Sequence, residues 1–356
     1  MASSPIGVAI IGSGHFAKEQ HLPAVLGCSS LRLKAIFSRS LSSAQEAAKL
    51  VPSSSTTPVP DLYAADAGPG REYDDLLGRA DIVAFIIALP IVAQPAFVEA
   101  ALGVGKHVLA EKPIGPDVAT AQRLIAFSKS SKASSGATLS VAENFRFVPR
   151  LVYARDQARR LGRVTHFSVK VMSLMKPEAK WYRTAWRQTP AYQGGFLLDG
   201  GVHHAAAARF IFLAGDENRA VDVRAFSDRV CEHLPPIDSV AAIVRTASCA
   251  TGTVQLSAGS LMDAFEWDVA CERGSVKSAG ETVTVRTADG AAPVVEQFDR
   301  VSGVPEEVAA WAAGILAGTP DPRQSAEEAL ADLEFLEKIF RSGEDDGALK
   351  QYEFQS

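Results

Sequence analysis

Apolar and polar positions follow two rhythms along this 356-residue chain. Through the first third, short apolar runs alternate with segments of helical composition. Residues 6–11 predict a buried strand, 16–26 a short helix, 31–37 a second strand and 42–50 a second helix. The Ser, Thr and Pro content of 53–60 predicts a loop, and a short helix is expected at 72–77. The continuous apolar run at 82–89 is of the kind buried on both faces of a parallel sheet. Helix, strand, helix and strand follow at 93–102, 107–111, 118–129 and 140–145. Strands alternating with helices at this spacing imply right-handed βαβ units.

Near residue 146 the rhythm changes. A helix is expected at 151–161, a strand with alternating character at 164–172, and a loop rich in Trp, Tyr, Arg and Lys from 176 to 193. Another helix is expected at 200–213. Strands then come without helices between them, at 239–246, 252–258, 265–271, 275–277 and 282–287, which predicts an antiparallel meander. Two helices, 306–317 and 325–341, close the chain. The expected organisation is an α/β domain with a parallel sheet over residues 1–145, then an α+β domain with a largely antiparallel sheet over 146–356.

Composition narrows the function classes. Hydrophobic residues make up 47% and charged residues 22%, as in an ordinary globular protein, and 356 residues suffice for two domains. The counts of 36 Lys+Arg against 41 Asp+Glu give a net charge of −5, without the basic excess that a nucleic-acid partner calls for. Four scattered cysteines (28, 231, 249 and 271) form no CxxC or zinc-spaced cluster. They point to reduced thiols, no metal and a cytoplasmic setting. The longest apolar run, 82–93, is interrupted by Pro90 and too short for a bilayer. A small-molecule partner is expected, with no membrane and no nucleic acid.

The first candidate chemistry lies between the first strand and the first helix. Gly12-Ser13-Gly14-His15-Phe16-Ala17 has the GxGxxA pattern. The first Gly permits the tight turn, the second lets a pyrophosphate approach the backbone, and the small Ala lets helix and strand pack closely. An NAD site usually carries an acidic residue at the end of the second strand. Here Ser38 stands in that place and Arg39 follows, a hydroxyl and a guanidinium that suit a ribose 2′-phosphate. NADP is therefore favoured, with NAD the alternative.

The run Glu111-Lys112-Pro113 after the apolar strand resembles the signature of the glucose–fructose oxidoreductase / inositol dehydrogenase (Gfo/Idh/MocA) family. Asn144-Phe145-Arg146-Phe147-Val148-Pro149 resembles that family's junction motif. Gly194-Gly195 through Asp199 to His203 resembles its Gly-Gly-x-x-x-Asp-x-Gly-x-His stretch, and the final helices resemble its closing pair. The resemblance implies a Rossmann domain followed by an open-faced mixed sheet that often makes homodimers or homotetramers, with sugars, polyols or their keto forms as substrates. Cofactor contacts then extend to Leu89, Pro90, Glu111 and Lys112, and substrate contacts to Asn144 and Arg146. Two departures are visible: Gln94 stands where the family often has His, and Ala206 where many members have Asp.

Read as chemistry, Lys112 ends a strand on the carboxyl edge, where open α/β sheets bind ligands, and an ammonium there polarises a reacting oxygen. Asp199 and His203 are four apart at a helix entry and share a face. His203 is the expected acid/base, oriented by Asp199, which otherwise bonds a substrate hydroxyl. Lys176, Trp181, Arg183 and Trp186 in the 176–193 loop supply donors and flat faces for a carbohydrate-like ligand. His204 and the remaining histidines show no constellation. A cis peptide is expected at Lys112-Pro113. The leading expectation is an NADP-dependent oxidoreductase acting on a hydroxyl or keto carbon of a sugar, polyol or cyclic diol. The competing class is a non-catalytic nucleotide-binding regulator of the same fold.

Overall fold

The computed structural model describes residues 4–52, 58–130, 132–133 and 136–355. The chain forms two compact units, each assembled from separated segments. The first takes the chain up to Gly115, then Ala119–Glu143 and Ser302–Ala329; the second takes Pro116–Val118, Asn144–Val301 and everything from Leu330 onward. A single division after residue 145 does not describe this, because a late helical segment returns to the first unit.

In the first unit the elements run β1 (Ile6–Ile11), a π-helical turn (Ala17–His21), α1 (Leu22–Gly27), β2 (Leu31–Ser38), α2 (Leu41–Ala48), β3 (Asp61–Ala64) and α3 (Tyr73–Leu77). They continue with β4 (Ala84–Ile87), α4 (Gln94–Gly103), β5 (His107–Glu111), α5 (Val118–Ser128) and β6 (Leu139–Ala142). The strands order as β3-β2-β1-β4-β5-β6 and every neighbouring pair is parallel. Central β1 is buried along its whole length, which is why its sequence is continuously apolar. Strand β3 was not legible, since Asp61-Leu-Tyr-Ala is short and half-exposed. Of the expected 53–60 loop, residues 53–57 lie outside the described residues.

The second unit contains α6 (Pro149–Arg160), β7 (Val164–Leu174), short helices α7 (Ala185–Gln188) and α8 (Phe196–Asp199), α9 (Gly201–Ile211), β8 (Ala220–Asp228), β9 (Ser239–Thr246) and β10 (Thr251–Ser257). Then come β11 (Gly259–Cys271), β12 (Gly274–Ala279), β13 (Thr282–Thr287) and β14 (Val294–Gln297). Helix α10 (Val304–Ala317) belongs to the first unit, where Val304, Val308, Trp311 and Ala312 join one core cluster with Leu22, Val25 and Ile10. Helix α11 (Ala326–Glu344) and β15 (Lys350–Gln351) end the chain.

The nine-stranded sheet orders as β14-β13-β12-β11-β7-β10-β9-β8-β15. It is not a continuous meander. Strand β7 lies between β10 and β11, antiparallel to β11 but parallel to β10. In β9 the residues alternate buried and exposed, so Val240, Ala242 and Val244 face the core while Ile243 is 60% exposed on the open face. Residues 144–147, expected partly as strand, form a 3-10 turn instead.

Candidate active site

The turn after β1 is built by close approach. Gly12 sits at φ 110°, and a Cβ there would lie 2.2 Å from the Ala88 carbonyl oxygen and 3.4 Å from Leu89. Only glycine fits. At Gly14 an added Cβ would meet nothing within 4 Å, leaving the backbone open on that side. Ser13 and Ser38 share a hydrogen bond of 2.6 Å between their hydroxyls, which ties the turn to the end of β2. Ser38 is buried and Arg39 exposed. Ser40 then caps α2, its Oγ accepting from the Ser43 N–H. A cradle with one steric glycine, one open glycine and no carboxylate at the strand end fits a dinucleotide phosphate group. His15 is exposed, 4.0 Å from Glu19, and Phe16 packs its ring edge-on against His21. Leu89 and Pro90 are half-buried beyond β4.

Glu111 is occupied inside the protein. His21, fully buried, donates from Nε2 to Glu111 Oε1 at 2.6 Å, and the other carboxylate oxygen accepts the Lys112 backbone N–H at 3.2 Å. Buried Gln94 donates to the Glu111 carbonyl at 2.5 Å and reaches the Pro113 carbonyl at 3.4 Å. Lys112-Pro113 is cis, and Lys112 itself is half-buried. The groups around Lys112 thus hold its backbone from both sides. The sequence offered no signal for His21, whose partner is 90 residues away, and Gln94 was visible only as a departure.

In the second unit, helical winding begins at Phe196, four residues before the expected start. Asp199 is buried, and its Oδ2 accepts from Arg187 Nε at 2.6 Å. The Arg187 guanidinium also lies 4.0 Å over the Trp186 ring. Half-buried His203 stacks on Phe145, with centroids 4.6 Å apart and planes 13° apart. Phe145 in turn meets the edges of Phe265 and Trp267. Behind these rings lies Arg150, whose guanidinium pKa burial pushes down to about 10, opposed by Glu281.

Arg146 needs correction as a ligand-contact candidate. It is buried and donates to both oxygens of Asp332, at 2.6 and 2.8 Å, and Asp332 also accepts from buried Arg209 at 2.6 Å. Arg146 therefore belongs to an internal charge cluster. Asn144 is likewise buried in the same 3-10 turn. In the 176–193 loop, Lys176 and Arg183 are exposed, Trp181 is half-buried beneath Lys180 at 4.7 Å, and Trp186 is half-buried beside Tyr192. Among the described residues no His, Cys, Asp or Glu group is placed to hold a metal, and no helix is long and apolar enough to cross a membrane.

Residues 6–138 match the family model described as "Oxidoreductase family, NAD-binding Rossmann fold", and residues 152–277 match the Gfo/Idh/MocA C-terminal domain. The chain belongs to the Gfo/Idh/MocA oxidoreductase family. It is 38% identical, over 98% of its length and all of the relative's, to a dehydrogenase of Fusarium mangiferae named FPY6. It is 29% identical to the dTDP-3,4-didehydro-2,6-dideoxy-alpha-D-glucose 3-reductase of Actinomadura kijaniata, over 60% of this chain and 58% of that one. The crystal structure of an oxidoreductase from Thermotoga maritima superposes with a TM-score of 0.83 at 27% identity, covering 98% of each chain. This Gfo/Idh/MocA protein is thus an oxidoreductase with a nicotinamide-binding Rossmann unit.

Proposed function

We propose that the chain is an NADP-dependent oxidoreductase that moves a hydride between nicotinamide and a hydroxyl or keto carbon of a sugar, polyol or cyclic diol. The observation that carries the cofactor choice is the end of β2, where the Ser38 hydroxyl is held by Ser13 and the next side chain is exposed Arg39. A carboxylate there would repel a 2′-phosphate; a guanidinium binds it as a fork. For the substrate class, support comes from half-buried Lys112 and His203, together with the sugar reductase named above.

Bound nicotinamide supplies or accepts the hydride. The Lys112 ammonium polarises the reacting oxygen and stabilises charge that develops on it. His203 takes the proton from a hydroxyl being oxidised, or returns it to a carbonyl being reduced. Stacking on Phe145 restricts the imidazole to one plane. Asp199, fixed by Arg187, presents its carboxylate to the substrate or to His203.

The test is a turnover scan with carbonyl compounds under NADPH and NADH, beside sugars, polyols and cyclic diols under NADP⁺ and NAD⁺. Turnover of a polyhydroxylated compound with NADP(H) preferred is expected. Tighter NADH binding in a fluorescence titration overturns the cofactor assignment, and turnover confined to non-hydroxylated carbonyls overturns the substrate class.

A further inference from the structure

The chain buries four tyrosines, at positions 63, 182, 192 and 352. Three of the hydroxyls are bonded. Tyr63 accepts from Arg79, Tyr182 donates to the His233 carbonyl, and Tyr352 donates to the Phe335 carbonyl. The Tyr192 hydroxyl alone has no hydrogen-bond partner among the described residues, although it is closed off from solvent. A buried hydroxyl without a partner is a cost that phenylalanine at the same place would avoid.

Its surroundings are polar. Tyr192 lies close enough to the Asp199–Arg187 pair for both charges to act on it, and its ring is 6.1 Å from that of Trp186. Burial, reinforced by the Asp199 charge and opposed by Arg187, pushes the phenol pKa upward, so it keeps its proton and remains a donor. Asp199 in turn stands one helical turn before His203, which puts their Cβ atoms about 6 Å apart. An oxygen met at Tyr192 and Asp199 therefore belongs to a carbon near the one that His203 serves.

We propose that Tyr192 is a specificity-determining residue. Its hydroxyl, together with the Arg187–Asp199 pair, receives a substrate hydroxyl on the carbon next to the reacting carbon. The ligand oxygen reaches it as Trp186 makes room, and it completes the missing hydrogen bond. This rests on the oxidoreductase reading and on His203 as the proton carrier. It selects vicinal diols and hydroxy ketones over isolated alcohols and ketones, because only they bring the second oxygen.

The experiment uses the full chain saturated with NADP⁺, and in parallel with NAD⁺, as wild type and Tyr192→Phe. Calorimetry measures binding of cis-1,2-cyclohexanediol and myo-inositol against cyclohexanol, melting temperature is recorded, and reduction of the cofactor is followed with each probe. Wild type is expected to favour the hydroxylated probes by about tenfold, the worth of one good hydrogen bond. Tyr192→Phe is expected to lose that preference while binding cofactor normally and melting at the same or a higher temperature. An unchanged preference in Tyr192→Phe overturns the inference, as does a wild type with no preference. A variant that melts lower and loses cofactor binding also overturns it, showing a packing role. Cofactor reduction with wild-type KM in Tyr192→Phe sinks the inference and leaves the oxidoreductase reading standing. Selective binding of the diol without any cofactor reduction does the reverse.

Discussion

In the first unit one group of buried polar side chains lies at the end of β5, where His21 and Gln94 clamp Glu111 and the backbone on either side of Lys112. In the second unit another group is a cluster of full charges, with Asp332 shared by Arg146 and Arg209. The first arrangement gathers side-chain and backbone donors at a strand end and fixes a backbone. The second neutralises guanidinium groups against a carboxylate away from water, where losing one partner leaves charge stranded. Each signature stretch thus sets a half-buried residue, Lys112 or His203, beside buried polar residues. Glu111 supports Lys112, and the turn carrying buried Arg146 also carries Phe145, on which His203 stacks. A motif residue's role is set by where its side chain is spent.

The sharpest way to break this comparison is at His203. His203→Ala is expected to lower kcat by about 10²–10⁴ while NADPH binding, measured by fluorescence, stays as in the wild type. Joint loss of both would mean the two units do not divide binding and proton transfer. Next in size is Asp332→Asn, which removes the one carboxylate charge that two buried guanidinium groups share. Urea unfolding should show a loss of about 3–5 kcal/mol. A loss under about 1 kcal/mol would mean the cluster is not held by charge.

Smaller effects sharpen the cofactor end. Arg39→Ala is expected to weaken NADPH by about 1.5–3 kcal/mol, leaving NADH affinity and melting temperature unchanged, because Arg39 is exposed. Untouched NADPH affinity would remove the 2′-phosphate assignment. Smallest is Ser40→Ala, which deletes the cap on α2 and should cost about 1 kcal/mol of stability in thermal or urea unfolding. No change there would mean that Ser42 or water replaces the cap.

What was legible along the chain is what depends on neighbours in sequence. Apolar runs such as 6–11 and 107–111 became β1 and β5 with their expected bounds, and Gly12 occupies the positive-φ turn that its pattern called for. Periodicity and turn chemistry are local, so a single sequence carries them. Tertiary structure alone decided the rest. It placed β7 between β10 and β11, returned α10 to the first unit, and joined His21 to Glu111 and Arg146 to Asp332 across 90 and 186 residues. It also left the Tyr192 hydroxyl buried beside Asp199 and Arg187. Such pairs leave no spacing signal, because a buried donor needs only an acceptor within about 3 Å in space, wherever the chain brings it from.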